Sequence, residues 1–193
     1  MPFRKVHVKR HPEVAHLLFE MGTEDYSADV MANITPLHTA SATGQVADAR
    51  ELLQSGSDVN AKGNDDNTPL DCASNERVAR ILLYHGADPN AQNSYNRTPL
   101  HKAVKSRRPE VAHALLDQGA EPNSPDIERR TPLHLASEVG YTTEGVRLLL
   151  QRNSDVHARD CWGLTPFEVA PANRRRDTMD LQLEHGAEDH RTY

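Results

Sequence analysis

A short phrase recurs along this chain and constrains what it can fold into. It reads Thr35, Pro36, Leu37, His38, and returns at Thr68, Pro69, Leu70, at Thr98, Pro99, Leu100, His101, at Thr131, Pro132, Leu133, His134 and at Thr165, Pro166, Phe167. The starts are spaced by 33, 30, 33 and 34 residues. A period this short is too small for a self-sufficient core, so the copies must lean on each other as layers of an array. That reading overrides the one or two compact domains that a length of 193 residues would suggest. The 37% hydrophobic content and mean hydropathy of -0.71 are thin for one large core, but enough where each layer supplies a single apolar stripe.

Each repeat spells out two helices. Threonine before proline is a helix start: the hydroxyl accepts from free backbone donors, and proline at the first helical position lacks a donor that would go unpaired. Ala40, Ala73, Ala103, Ala136 and Ala170 all lie five residues after their threonine, as small residues should where backbones approach closely. A second helix ends in the paired leucines Leu52 and Leu53, Leu82 and Leu83, Leu115 and Leu116, Leu149 and Leu150. Stop residues follow at Gly56, Gly86, Gly119, Asn153 and Gly186, the two residue types that most easily take the left-handed conformation of a helix end. Polar, turn-rich stretches such as Asp58 to Ala61 and Asp88 to Ala91 lead to the next threonine.

With these residues in place, the chain resembles the ankyrin-repeat family, whose Thr-Pro-Leu-His-x-Ala signature it carries in full three times and with substitutions twice more, at the family's period. The resemblance implies an all-α ankyrin-repeat solenoid of stacked antiparallel helix pairs with projecting hairpin loops. It covers residues 1–187 as one array with repeats starting near 1, 35, 68, 98, 131 and 165, the first and last acting as caps, and leaves 188–193 as a short polar tail. A degenerate first repeat is read from Met1, Pro2 and Phe3, which precede Thr35 by one period, and from the likeness of Glu13 to Gly22 to Glu110 to Gly119.

Departures from the pattern predict local differences. The Thr68 repeat lacks three residues between its helices and carries Asp71 in place of the signature histidine, which predicts a shortened first helix. The Thr165 repeat carries Glu168 at that position, and Arg174, Arg175, Arg176, Asp177 and Asp180 give its second helix the polar face of a terminal cap. At the loop tips, where the family favours glycine, stand Asn33, Asp66, Asn96 and Arg129, with only Gly163 matching. Arginine does not readily take positive φ, so the Arg129 loop is expected to depart from the hairpin geometry of the others.

Most chemistry is excluded by spacing. Of eleven histidines, His38, His101 and His134 stand one layer apart, and layers about 8 to 10 Å apart cannot share one ion at ligand distances of about 2 Å. His85 and His185 precede stop glycines, where they meet the helix dipole. His7, His11 and His16 alone have a spacing compatible with a metal-binding helix face, and read better as a solvated basic cap. Cys72 sits beside the small alanine of its helix and reads as a buried hydrophobe. Cys161 lies in a loop, exposed. No phosphate loop, zinc-type cysteine pairing or nucleophile elbow occurs, so no catalytic residue, metal or cofactor is assigned.

The net charge of -6 argues against general affinity for phosphate backbones or anionic membranes, and Arg107 and Arg108, Arg129 and Arg130, and Arg174 to Arg176 are short clusters on an acidic whole. No apolar run approaches the roughly 20 residues of a membrane span. Two cysteines in different repeats form no disulfide framework. The expectation is a monomer inside the cell, in cytoplasm or nucleus, bound neither to membrane nor to nucleic acid.

In the family this chain resembles, partners dock on the loop tips and on the concave face of the first helices. Carried onto this sequence, those positions are unevenly furnished. The Thr68 repeat offers Asn64, Asp65, Asn67, Asn75 and Glu76, all polar. The next three offer Tyr95, Arg97 and Lys105, then Ile127, Glu128 and Arg130, then Trp162 and Leu164. Aromatic and arginine side chains dominate interface energetics, and the only tryptophan of the chain lies in a loop. The favoured reading is a non-catalytic adaptor, scaffold or inhibitor holding a protein partner through these eight residues. Trp162 could instead fold back over its neighbour's hairpin. Two rival functions stand beside it: an enzyme or accessory with a site near Cys161, Asp160 and Arg130, and an inhibitor whose acids Asp58, Asp65, Asp66, Asp71 and Glu76 mimic phosphate.

Overall fold

The computed structural model describes residues 33–170 and 176–188. The degenerate first repeat, His7, His11 and His16, Arg174 and Arg175, and most of the polar tail lie outside the described residues. Among the described residues there are eight α-helices, one 3-10 turn and no strand. The chain falls into two compact units divided between Ala87 and Asp88. The first holds α1 (Pro36–Thr43), α2 (Val46–Gln54), a 3-10 turn (Asn64–Asp66) and α3 (Glu76–Tyr84). The second holds α4 (Pro99–Lys105), α5 (Pro109–Asp117), α6 (Pro132–Val139), α7 (Thr143–Gln151) and α8 (Arg176–Glu184).

These helices run seven to nine residues. Isolated helices of that length are marginal in water, so their stability must come from packing. In the first unit α1 packs on α2 and α2 on α3. In the second, first helix α4 packs on first helix α6 and second helix α5 on second helix α7, while α4 closes on α5, α6 on α7 and α7 on α8. Buried residues follow the sequence pattern. Ala40, Ala73, Ala103, Ala136 and Ala170 are all covered, as are Leu53, Leu82, Leu115, Leu116, Leu149 and Leu150. In α8 the position of the first paired leucine is taken by Gln182, fully buried, whose Nε2 donates to Ser137 Oγ at 3.1 Å.

The Thr68 repeat is shortened further than the sequence predicts. No α-helix forms between Thr68 and Asn75. Three successive bonds, Asp71 N–H to Thr68 O at 3.1 Å, Cys72 N–H to Pro69 O at 3.2 Å and Ala73 N–H to Leu70 O at 3.2 Å, wind only a tight turn. With three residues missing, the chain must leave this turn at once: Ser74 N–H and Oγ both donate to Ser41 O, and Asn75 Oδ1 then accepts from Val78 N–H at 3.0 Å to start α3. Gly44 makes this approach possible. Its φ is 73°, and a Cβ there would overlap the Asn75 amide and stand 2.8 Å from Ser74 Oγ.

The first helix of the Thr165 repeat, expected from the signature, is also absent as an α-helix. Residues 166–169 form turns, with Val169 N–H to Thr165 O at 3.1 Å and Ala170 N–H to Phe167 O at 3.3 Å. The cause is in the sequence: Pro171 follows, and a proline both lacks a helix donor and disfavours the helical conformation of the residue before it. The stop residues behave as read, Asn153 taking φ 62° where the other four are glycines at positive φ.

Loop tips share a positive φ despite their different residues, and only the Asp66 loop adds a second such residue, Asp65, in its 3-10 turn. Asp66, Asn96, Arg129 and Gly163 have φ of 58°, 55°, 61° and 80°. The Arg129 loop is therefore not the exception that its residue type predicts. Arg129 N–H donates to Asp126 O at 2.8 Å and Asp126 N–H to Arg130 O at 2.9 Å, the same pair of bonds that Asn93, Asn96 and Arg97 make at 2.9 and 3.1 Å.

Since packing between layers carries the stability, Leu115→Ala at a fully buried site in the second unit should cost about 2 to 5 kcal/mol. Chemical denaturation followed by circular dichroism measures it, and Leu183→Ala, partly exposed on α8, should cost much less.

Candidate functional site

The signature threonines and histidines form a repeated relay. Thr35 N–H donates to His38 Nδ1 at 3.2 Å, and Thr35 Oγ1 lies 2.8 Å from the same nitrogen. Thr98 and His101 repeat this at 3.1 and 2.9 Å, and Thr131 and His134 at 3.1 and 2.9 Å. A nitrogen that accepts from an amide carries no proton, so the proton of the neutral ring sits on Nε2. Each Nε2 donates onward to the carbonyl just before the next threonine: His38 to Asn67 O at 3.0 Å, His101 to Arg130 O at 3.1 Å and His134 to Leu164 O at 3.1 Å. The ring thus ties its own helix start to the loop of the following repeat.

Burial sets the charge of these rings. It pushes His101 down to about 4, outweighing the carbonyl of Arg130 and the charge of Asp126, which favour the cation. His38 and His134 are lowered for the same first reason, against the carbonyls of Asn67 and Leu164. Asp71 and Glu168 reproduce only the first half of the relay. Thr68 N–H donates to Asp71 Oδ2 at 2.6 Å and Thr165 N–H to Glu168 Oε2 at 2.8 Å. An ionised carboxylate accepts but has no proton to donate onward.

A second device, not singled out in the sequence, holds the tips. Asn93 Oδ1 accepts from Tyr95 N–H at 2.9 Å and Arg97 N–H at 3.0 Å. Asp126 Oδ1 accepts from Glu128 and Arg130 N–H, both at 2.9 Å, and Asp160 Oδ1 from Trp162 and Leu164 N–H, both at 2.9 Å. All three residues are buried. Their common place five residues before the threonine, always Asn or Asp, was the available signal. Gly63 takes that place in the Thr68 repeat, where a Cβ would stand 2.9 Å from His38 Nε2. The tips are also joined to each other: Ile127 N–H donates to Tyr95 O at 2.9 Å and Cys161 N–H to Glu128 O at 2.9 Å.

Asp126 is the charged hub of the second unit. Its Oδ2 accepts from Arg97 Nε at 3.2 Å and from Arg130 Nη2 and Nε at 3.2 and 3.3 Å. Burial alone would push this carboxyl up, but the Arg130 amide and the two guanidinium groups prevail and hold it below the usual carboxylate value. Arg130 also pairs with Glu128, and with Glu138 at 3.4 Å, and Arg97 lies under the Tyr95 ring, 5.7 Å from its centroid.

The eight residues singled out therefore divide in two. Arg97 and Arg130 are mostly covered, with 17% and 15% of their side chains exposed, and serve the Asp126 hub. Tyr95, Ile127, Trp162 and Leu164 are exposed at 45%, 61%, 66% and 41%, and Lys105 is exposed beside Arg97. Glu128 lies between, half-covered and paired with Arg130. Trp162 is thus not folded away. Cys72 is buried and Cys161 exposed. Asp160, the acid beside Cys161, spends Oδ1 on the loop amides. Of the acids read as phosphate-like, Asp71 holds Thr68, Asp58 accepts from Asn60 N–H at 3.0 Å and Glu76 pairs with Arg80 at 2.7 Å.

Among the described residues, no group of three or more His, Cys, Asp or Glu side chains is placed to hold a metal ion, and no helix is long and apolar enough to cross a membrane.

The family profile for three-copy ankyrin repeats matches residues 6–93, and two profiles for many-copy ankyrin repeats match 73–116 and 115–170. The chain belongs to the ankyrin-repeat family. No curated protein matches it. Ankyrin repeats are generally protein–protein interaction modules and typically non-catalytic.

Because the folded pKa of these three histidines lies below the unfolded value of 6.5, the unfolded chain binds the extra protons as pH falls. Stability is then full above about pH 6.5 and is lost on descent toward about 4 for His101. The thermal midpoint should drop by several degrees between pH 7.5 and pH 5, and His101→Gln should lower the midpoint at pH 7.5 while shrinking the difference, both read by calorimetry.

Proposed function

We propose that this chain is a non-catalytic adaptor, scaffold or inhibitor whose protein partner docks on the tips and adjoining first-helix face of the Thr98, Thr131 and Thr165 repeats. The residues that carry it are Tyr95, Arg97, Lys105, Ile127, Glu128, Arg130, Trp162 and Leu164. The observation that supports this most is the exposure of four large apolar side chains, Tyr95, Ile127, Trp162 and Leu164, on three consecutive loops whose backbones are bonded to one another.

A loop that exposes tryptophan and isoleucine to water gains nothing in the free protein, whereas a partner that covers them gains roughly 25 cal/mol per Å² of apolar area. Fixed tips reduce the ordering cost that binding must offset. Arg97 and Arg130 contribute in two ways, holding Asp126 from inside and presenting part of each guanidinium beside the apolar tips. The soluble monomeric form inside the cell remains the reading that charge and cysteine usage favour.

Partners captured from a lysate and identified by mass spectrometry should be lost together with the Tyr95→Ala, Trp162→Ala double variant. With an identified partner in hand, Trp162→Ala should weaken binding by more than about 1 kcal/mol while the thermal midpoint stays within about 2 °C of the parent. Undiminished binding, or a fall in stability matching the loss of binding, would contradict the proposal.

A further inference from the structure

Resting on the reading just given, the charges around the tips specify the chemistry of the partner. Lys102 and Lys105 lie three positions apart on α4, so they share a face of that helix. Arg97 precedes the same helix, and Arg130 stands at the corresponding place of the next repeat. The three acids nearby are already engaged: Asp126 accepts from both guanidinium groups and from two amides, Glu128 pairs with Arg130 and with Arg97 at 3.9 Å, and Glu138 pairs with Arg130 at 3.4 Å. Lys105 makes no ion pair among the described residues.

We propose that the partner segment is acidic and apolar in alternation, placing an Asp or Glu carboxylate against Lys105 and Lys102 while an aromatic or aliphatic side chain of the same segment covers Ile127 and Trp162. The exposed ammonium of Lys105 is held below the ordinary lysine value, first by burial of its stem and then by Arg97, Lys102 and Arg130, against which Glu138 works weakly. A carboxylate brought there removes that mutual repulsion, so the cationic floor gains more from an anion than isolated surface lysines would. A basic segment would instead face Lys102 and Lys105 and be disfavoured. The apolar tips and the basic face of α4 thus offer two contacts to the proposed segment, which is where affinity and register would come from.

The test uses the whole chain as bait for a displayed library of random linear peptides. Enriched peptides should carry Asp or Glu near a Trp, Phe, Leu or Ile, and a synthetic copy should bind with a strong salt dependence. Lys105→Glu should weaken that copy by about tenfold or more and Lys105→Ala by less, with both variants keeping the parent's thermal midpoint. Trp162→Ala should weaken it independently. Enriched peptides without acidic residues, which lose affinity with Trp162→Ala but not with Lys105→Glu, would overturn the acidic partner and leave the docking face standing. Peptides indifferent to both variants, or no enrichment at all, would overturn the acidic partner and count against the docking face itself.

Discussion

The structure depends on a neutral imidazole that donates on one side and accepts on the other. His38, His101 and His134 each accept from the backbone of their own helix start and donate to a carbonyl of the following repeat. Short helices cannot stand alone, so the array needs a bond that fixes how one layer meets the next as well as apolar area between layers. The relay does this at the root of the loops that lead to Thr68, Thr131 and Thr165. It sets the carbonyl before the threonine, from which the loop turns outward, and Asn93, Asp126 and Asp160 then fix the loop from inside by holding two amides each.

Much of this was legible in the sequence because it repeats. Threonine, proline, histidine and alanine at fixed offsets gave the starts of α1, α4 and α6, the covered alanines and the histidines as structural groups, and glycine or asparagine gave the ends of the second helices. Legibility failed where one residue departed from its copies. Arg129 was expected to distort its loop, but the bonds from Asp126 fix φ at 61° and outweigh the side chain's preference. The Thr165 signature predicted a first helix, but Pro171 comes so soon after Thr165 that it ends that helix before it begins. The Asp126 hub escaped because acids in a loop read as solvated, and nothing in one sequence shows that two arginines from different repeats converge on one carboxylate.

For function, the consequence is a division of labour between covered and exposed members of one cluster. Arg97 and Arg130 are engaged largely with Asp126, and on the proposed function the energy of recognition falls to Tyr95, Ile127, Trp162 and Leu164, which the loops expose to water. Under that proposal, substitution inside the hub acts on both stability and binding, whereas substitution at the tips separates the two. The repeats that carry Asp71 and Glu168 keep the threonine cap without the onward donor, so relay coupling is concentrated in the three histidine repeats, two of which, with His101 and His134, underlie the loops that bear the exposed apolar residues.

The central claim is tested most directly by long-range proton–nitrogen correlation spectra of the histidine rings near neutral pH. His38, His101 and His134 should appear as neutral rings with the proton on Nε2 and an unprotonated Nδ1, and should hold that form as pH is lowered through the ordinary histidine value of about 6.5. Rings protonated on Nδ1, or titrating at about 6.5, would contradict the account.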